Sequence, residues 1–127
     1  GEFFREEEHA IIETYMLPTY FENRFAGAAD YVTKPIFGRE GGGVALFAAD
    51  GTLVAKDQEE FYWEQPMVYQ KRVELPEITV QTLSGPYQGR LLWGSFWIGG
   101  EASAVVARVG GPITNNLSYY LPVGMKG

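Results

Sequence analysis

Residues Tyr31 to Val44, Tyr-Val-Thr-Lys-Pro-Ile-Phe-Gly-Arg-Glu-Gly-Gly-Gly-Val, place the tightest constraint on what this chain can become. Tyr31 to Phe37 is an apolar, β-branched and aromatic run of strand length, and Gly38 with Gly41-Gly42-Gly43 ends it at once. A long helix cannot pass through this region. Lys34 shares a strand face with Val32 and Ile36, because side chains alternate along a strand. An ammonium set among apolar neighbours is costly to bury without an anion. The plainer reading is a lysine at a strand edge whose head snorkels to water. The loop that follows favours a phosphate contact, because glycine backbone amides can approach an anion closely. The spacing is not that of the common phosphate-binding loop, in which the lysine follows the glycines. Gly41-Gly42-Gly43 reads either as a flexible hairpin tip or as a mobile flap whose amides close over phosphates. Arg39 is either a solvated charge or a forked donor to a phosphate or carboxylate.

Composition narrows the classes. The 127 residues suit one domain or part of a larger one, and 46% hydrophobic and 15% aromatic content allow a real core. Sixteen Gly and seven Pro imply many turns and short strands. The net charge of -6 argues against a general nucleic-acid grip. With no Cys there is no disulfide framework or thiolate site, and the single His9 cannot by itself make a zinc site or a triad. No apolar run is long enough to span a membrane and no signal peptide is visible, so a cytoplasmic location is expected.

The rest of the chain reads as one helix followed by strands. Phe3 to Leu17 has apolar residues at roughly helical spacing, with Glu6 to Glu8 suited to its N-terminus and Pro18 ending it. Glu6-Glu7-Glu8 reads as a solvated helix start, and His9 as a surface helix residue. Val44 to Ala48 and Thr52 to Ala55 form a hairpin about Asp50-Gly51. Met67 to Val73 is a strand, and Glu77 to Leu83 alternates weakly. Leu91 to Ile98 is apolar on both faces and reads as a buried central strand, with Trp93, Phe96 and Trp97 in the core. Gly99-Gly100 turns the chain into Ala102 to Val109, and Asn115 to Tyr120 is a short helix or extended tail. The fold class is α+β, with a mostly antiparallel sheet. Late in the last long strand sits Arg108. It is either an ion-pair partner for one of the sixteen acids or a cation aimed at charge that develops in phosphoryl transfer.

In order along the chain, Met16-Leu17-Pro18-Thr19-Tyr20-Phe21, Tyr31 to Gly41, Val68-Tyr69-Gln70 with Leu75-Pro76, Gly94-Ser95-Phe96-Trp97-Ile98, and Arg108 with Ile113 to Ser118 resemble the C-terminal part of the glutathionylspermidine synthase family. The resemblance runs from about Met16 to Pro122. It implies an ATP-grasp-like fold and a carboxylate–amine ligase that makes an amide through an acyl phosphate, with glutathione and spermidine as the founding acid and amine. By this resemblance Lys34 contacts ATP phosphates. Gly38, Arg39, Glu40, Gly41, Gly42 and Gly43 form a glycine-rich lid hairpin, and Gln70, Lys71, Arg72 and Val73 line the adenine pocket. Arg108 is the catalytic cation across the phosphates.

The chain departs from the family pattern at Gly43, where members often have Asn, and at Val109-Gly110, where many have Glu-Asp after the arginine. The family's Mg²⁺-binding carboxylates lie upstream of the matched region, so no metal ligand is assigned here. The resemblance therefore implies that residues 1–127 are a C-terminal fragment of a larger ATP-grasp synthetase domain, inactive alone. A non-catalytic module that binds a nucleotide or a partner chain is the alternative. A fragment of this kind is expected to leave sheet edges and apolar surface uncovered and to self-associate.

Overall fold

The computed structural model describes residues 3–58 and 60–124. The chain divides into two compact units, Gly1–Gly38 with Gly43–Arg72, and Arg39–Gly42 with Val73–Gly127.

The first unit opens with helix α1, Glu6–Tyr15, shorter at both ends than the sequence pattern predicts. Its start is held by Glu8, whose carboxylate accepts from the Arg5 backbone N–H at 2.7 Å and from the Arg5 guanidinium at 3.1 Å. Those bonds, the amide first, hold the Glu8 carboxyl below its ordinary pKa. No helix residue is buried, and Ile11 and Tyr15 are exposed. The predicted apolar stripe thus buries no residue fully, and Ile12 is its half-buried member.

Five strands follow: β1 Thr19–Tyr20, β2 Tyr31–Pro35, β3 Ala45–Phe47, β4 Leu53–Lys56 and β5 Met67–Lys71, with a 3₁₀ turn at Glu60–Tyr62. They form one antiparallel sheet in the order β1-β5-β2-β3-β4. The β3–β4 hairpin turns at Asp50-Gly51 as predicted. Gly51 has φ +87°, and the Asp50 carboxylate accepts from Thr52 N–H at 2.8 Å. Tyr31, Val32 and Leu46 are buried in the sheet and Phe25 is buried beside it. On one face Tyr31 stacks on Phe47, with centroids 5.0 Å apart, and Tyr69 lies at 6.2 Å from Tyr31.

The second unit is a meander of β6 Glu77–Thr82, β7 Gly85–Ile98, β8 Glu101–Gly110 and β9 Tyr119–Leu121, paired in chain order. Gly99 and Gly100, with φ +63° and +89°, make the predicted tight turn between β7 and β8. Asn115 to Ser118 is a turn and Tyr119–Leu121 a strand, so of the two expected forms the helix is absent and the end of the segment is extended. The core lies under the base of the hairpin, where Ala107 and Val109 are buried and Tyr87 meets Tyr119 edge-on at 5.1 Å.

The reading of Leu91 to Ile98 as a buried two-sided strand is corrected. β6 covers β7 only over Gly85–Arg90, and β9 covers β8 only over Ala107–Val109. From Trp93 to Val106 the two strands form a ribbon paired only with each other. Trp93 (58% exposed), Phe96 (50%) and Trp97 (73%) therefore stand in solvent instead of the core. The α+β class with mostly antiparallel pairing and an N-terminal helix is as expected.

Candidate functional site

Lys34 lies on β2, the central strand of its sheet, directly opposite Val68 of β5. It is therefore not at a sheet edge, and its side chain is only partly buried. Gln70 pairs with Val32 on one side and with Thr19 of β1 on the other. Directly paired residues share a face, so Thr19, Gln70, Val32, Lys34, Val68 and Leu46 all project from one side of the sheet.

On that face the polar groups form a chain across three strands. The Lys34 ammonium donates to Gln70 Oε1 at 2.6 Å. Gln70 Nε2 donates to Thr19 Oγ1 at 2.8 Å, and Thr19 Oγ1 donates to the Leu17 carbonyl at 2.9 Å. The ion pairs among the described residues are Arg5–Glu8, Arg72–Asp30 and Arg90–Glu77, so no described carboxylate lies within 4 Å of Lys34. Burial accordingly lowers the Lys34 pKa from the ordinary lysine value. A half-buried cation whose partner among the described residues is a neutral amide is an electrostatic setting that favours an anion.

The glycine loop is packed, not an open flap. Arg39–Gly42 cluster with the second unit, and Gly38 and Gly43 with the first. Gly41 has φ +80°, and a Cβ there would lie 2.6 Å from the Thr114 carbonyl oxygen. Gly43 has φ +71°, and its Cβ would lie 2.7 Å from Tyr62 Cβ. Glu40 also takes positive φ, at +56°. Gly42 N–H donates to the Arg39 carbonyl at 2.8 Å, and Gly43 N–H to Asp57 Oδ2 at 3.3 Å. Two amides that the flap reading offers to phosphates already have acceptors within the chain. In this structure the loop is a close-fitted turn, with a backbone carbonyl against Gly41 and a Cβ against Gly43.

The four residues expected around adenine diverge. Gln70 turns to Lys34. Lys71 is exposed, and its N–H donates to the Pro18 carbonyl at 2.9 Å. Arg72 pairs with Asp30 at 3.5 Å and donates its N–H to the Asp30 carbonyl at 3.0 Å. Val73 is half exposed and belongs to the second unit.

Arg108, also in the second unit, sits between Leu92 of β7 and Tyr120 of β9. Its guanidinium carbon is 6.0 Å from the Tyr120 ring centroid. No described carboxylate lies within 4 Å of it, so the ion-pair reading finds no partner among the described residues. Thr19 is the member of the Lys34 chain that the sequence reading missed. Its signal is the period-two alternation that places it opposite Gln70, but that becomes visible only once β1 is known to pair with β5.

The sequence model of the family described as glutathionylspermidine synthase preATP-grasp matches residues 6–126. The chain belongs to this family. The match covers nearly the whole chain and agrees with the family to which the ordered motifs point. Its description names the preATP-grasp part, whereas the motifs suggest the C-terminal ATP-grasp part. No curated protein matches the chain. Among the described residues no three His, Asp or Glu side chains are grouped to hold a cation, and no helix is long and apolar enough to cross a membrane.

Proposed function

We propose that this chain supplies phosphate contacts to an ATP-dependent carboxylate–amine ligase of the glutathionylspermidine synthase type, with Lys34 as the central contact. One observation carries the reading: Lys34 is half-buried on a central strand with a neutral partner and no carboxylate within 4 Å among the described residues. A polyphosphate fits that setting, because its charge offsets the desolvation of the ammonium. The roles of Gly38 to Gly43, Arg39 and Gln70 to Val73 toward ATP, and of Arg108 toward a transferring phosphoryl group, rest on the family resemblance. Phosphoryl transfer needs placed cations more than a general base, which agrees with the residue types involved. Mg²⁺ ligands are not assigned to this chain, and no step is routed through a metal here.

Calorimetric titration with ATP, tripolyphosphate and adenosine tests the proposal. ATP and tripolyphosphate should bind, and Lys34→Met should weaken both by at least about tenfold. Affinity for adenosine should be the same in both proteins. Unchanged anion affinity in Lys34→Met, or no anion binding by the native chain, overturns the reading.

A second reading is a binding module without chemistry. It is favoured by the preATP-grasp description of the matched region and by the lack of a carboxylate trio among the described residues. ATP consumption in the presence of Mg²⁺, glutathione and spermidine separates the two. Turnover rules out the module, whereas nucleotide binding without turnover fits both readings, since the resemblance implies that residues 1–127 are inactive alone.

A further inference from the structure

We infer that Gln70 is a positioning residue for the Lys34 ammonium, and that its being a neutral amide, not a carboxylate, reserves Lys34 for an anionic ligand. The inference rests on the phosphate reading of Lys34 and extends it to the residue that prepares the cation.

The polarity of the chain of hydrogen bonds carries the argument. An ammonium can only donate, so the Gln70 atom facing it must be an acceptor. A free amide could equally present its NH₂, which would repel the ammonium. Thr19 prevents this. Its hydroxyl has one proton, directed at the Leu17 carbonyl, so toward Gln70 it can only accept. The amide nitrogen is therefore drawn to Thr19 and the amide oxygen is left for Lys34. One backbone carbonyl just before Pro18 thus orients three side chains on three strands.

The chemical consequence concerns charge. Gln70 Oε1 takes one of the three ammonium donors, and no other described protein group accepts from Lys34. Two donors and the full positive charge remain for a ligand. A glutamate would reach the same 2.6 Å contact but would neutralise the cation and compete with any phosphate. Ground-state stability alone would favour that ion pair. The amide is what a cation needs if it is to be held in place and still attract an anion.

The test uses the whole chain and tripolyphosphate as probe, with the native protein, Lys34→Met, Gln70→Glu and Thr19→Val. Titration calorimetry gives affinity, urea midpoints confirm folding, and NMR titration of the Lys34 Cε–Hε signals follows its protonation. Gln70→Glu should fold at least as stably as the native chain, raise the Lys34 pKa and weaken tripolyphosphate binding by about tenfold or more. Thr19→Val should give a smaller loss, about threefold, because the amide is then free to turn. If Lys34→Met binds as tightly as the native chain, the phosphate reading itself fails. If Lys34→Met loses affinity while Gln70→Glu stays within about twofold of native, the phosphate reading stands and the role of Gln70 is overturned.

Discussion

The two sheets treat similar sequence in opposite ways. In the first unit, β2 has a neighbour on each side and carries a half-buried lysine on the face where Val32 and Leu46 are buried. In the second, the outer half of β7 carries two tryptophans and a phenylalanine and has one neighbour, so they stand in water. Hydrophobicity along the strand ranks the two regions the wrong way round. The number of paired neighbours decides burial, because a strand's side chains are covered only when adjacent strands and a packing layer extend alongside them.

The largest effect that sharpens this contrast lies at Gly41 and Gly43, each packed within its own unit. Gly41→Ala would force a methyl to 2.6 Å from the Thr114 carbonyl, and Gly43→Ala would force one to 2.7 Å from Tyr62 Cβ, both at positive φ. Each should lose about 2–3 kcal/mol in urea unfolding, the left-handed backbone penalty and the clash together. Gly99→Ala, at φ +63° with nothing within 4 Å, should lose only about 1 kcal/mol. Equal losses at all three sites would mean that the turn is as open as the β7–β8 tip, and the mobile-flap reading would return.

The next effect is at the exposed ribbon. Residues 91–106 hold one charged side chain, Glu101. Trp93, Phe96, Trp97, Ile98 and Val105 are each at least half exposed and together present roughly 600 Å² of apolar surface. That approaches the roughly 800 Å² per partner of an ordinary interface, and it adjoins unpaired strand edges without the lysines or prolines that usually protect them. The ribbon's low charge also spares two copies the repulsion expected from a net charge of -6. We propose that it pairs with a second copy. Sedimentation should show concentration-dependent dimers, and Trp97→Lys should weaken the dimer by at least about tenfold while changing fold stability by less than about 0.5 kcal/mol. A clean monomer at high concentration excludes the second copy as the occupant.

Much of this arrangement could be read from residues alone. Asp50-Gly51 and Gly99-Gly100 mark their hairpins because two-residue turns demand particular backbone angles, and those demands are local. Lys34 stands out because an ammonium among Val32, Thr33 and Ile36 conflicts with its surroundings. The pairing of Gln70 with Thr19 could not be read, since the two are 51 positions apart and strand order is a long-range property. Nothing at Arg72-Val73 marks the boundary between the units. Trp93 and Trp97 stand in water against expectation, because an apolar residue reports its own preference for burial, not whether a neighbour exists to provide it.

The smallest effect is electrostatic and tests the Lys34 side of the contrast directly. Burial lowers the Lys34 pKa in the folded chain, while the unfolded chain keeps the ordinary value of about 10.4. Between these two values the unfolded state binds more protons than the folded one, so stability rises with pH across that window. Below the lowered pKa the penalty for holding a charged Lys34 is fully present and constant. It is relieved as pH climbs toward 10.4 (the ordinary lysine value, about where relief is complete). Lys34→Met lacks this term, and the chain's tyrosines and other lysines cancel when the two proteins are compared. Urea midpoints from neutral pH upward should therefore climb more for the native chain than for Lys34→Met. A native curve that instead falls relative to the variant would mean that a carboxylate supports Lys34 in solution. The ammonium would then be an ordinary ion-pair partner, and the β2 face would hold no special place for an anion.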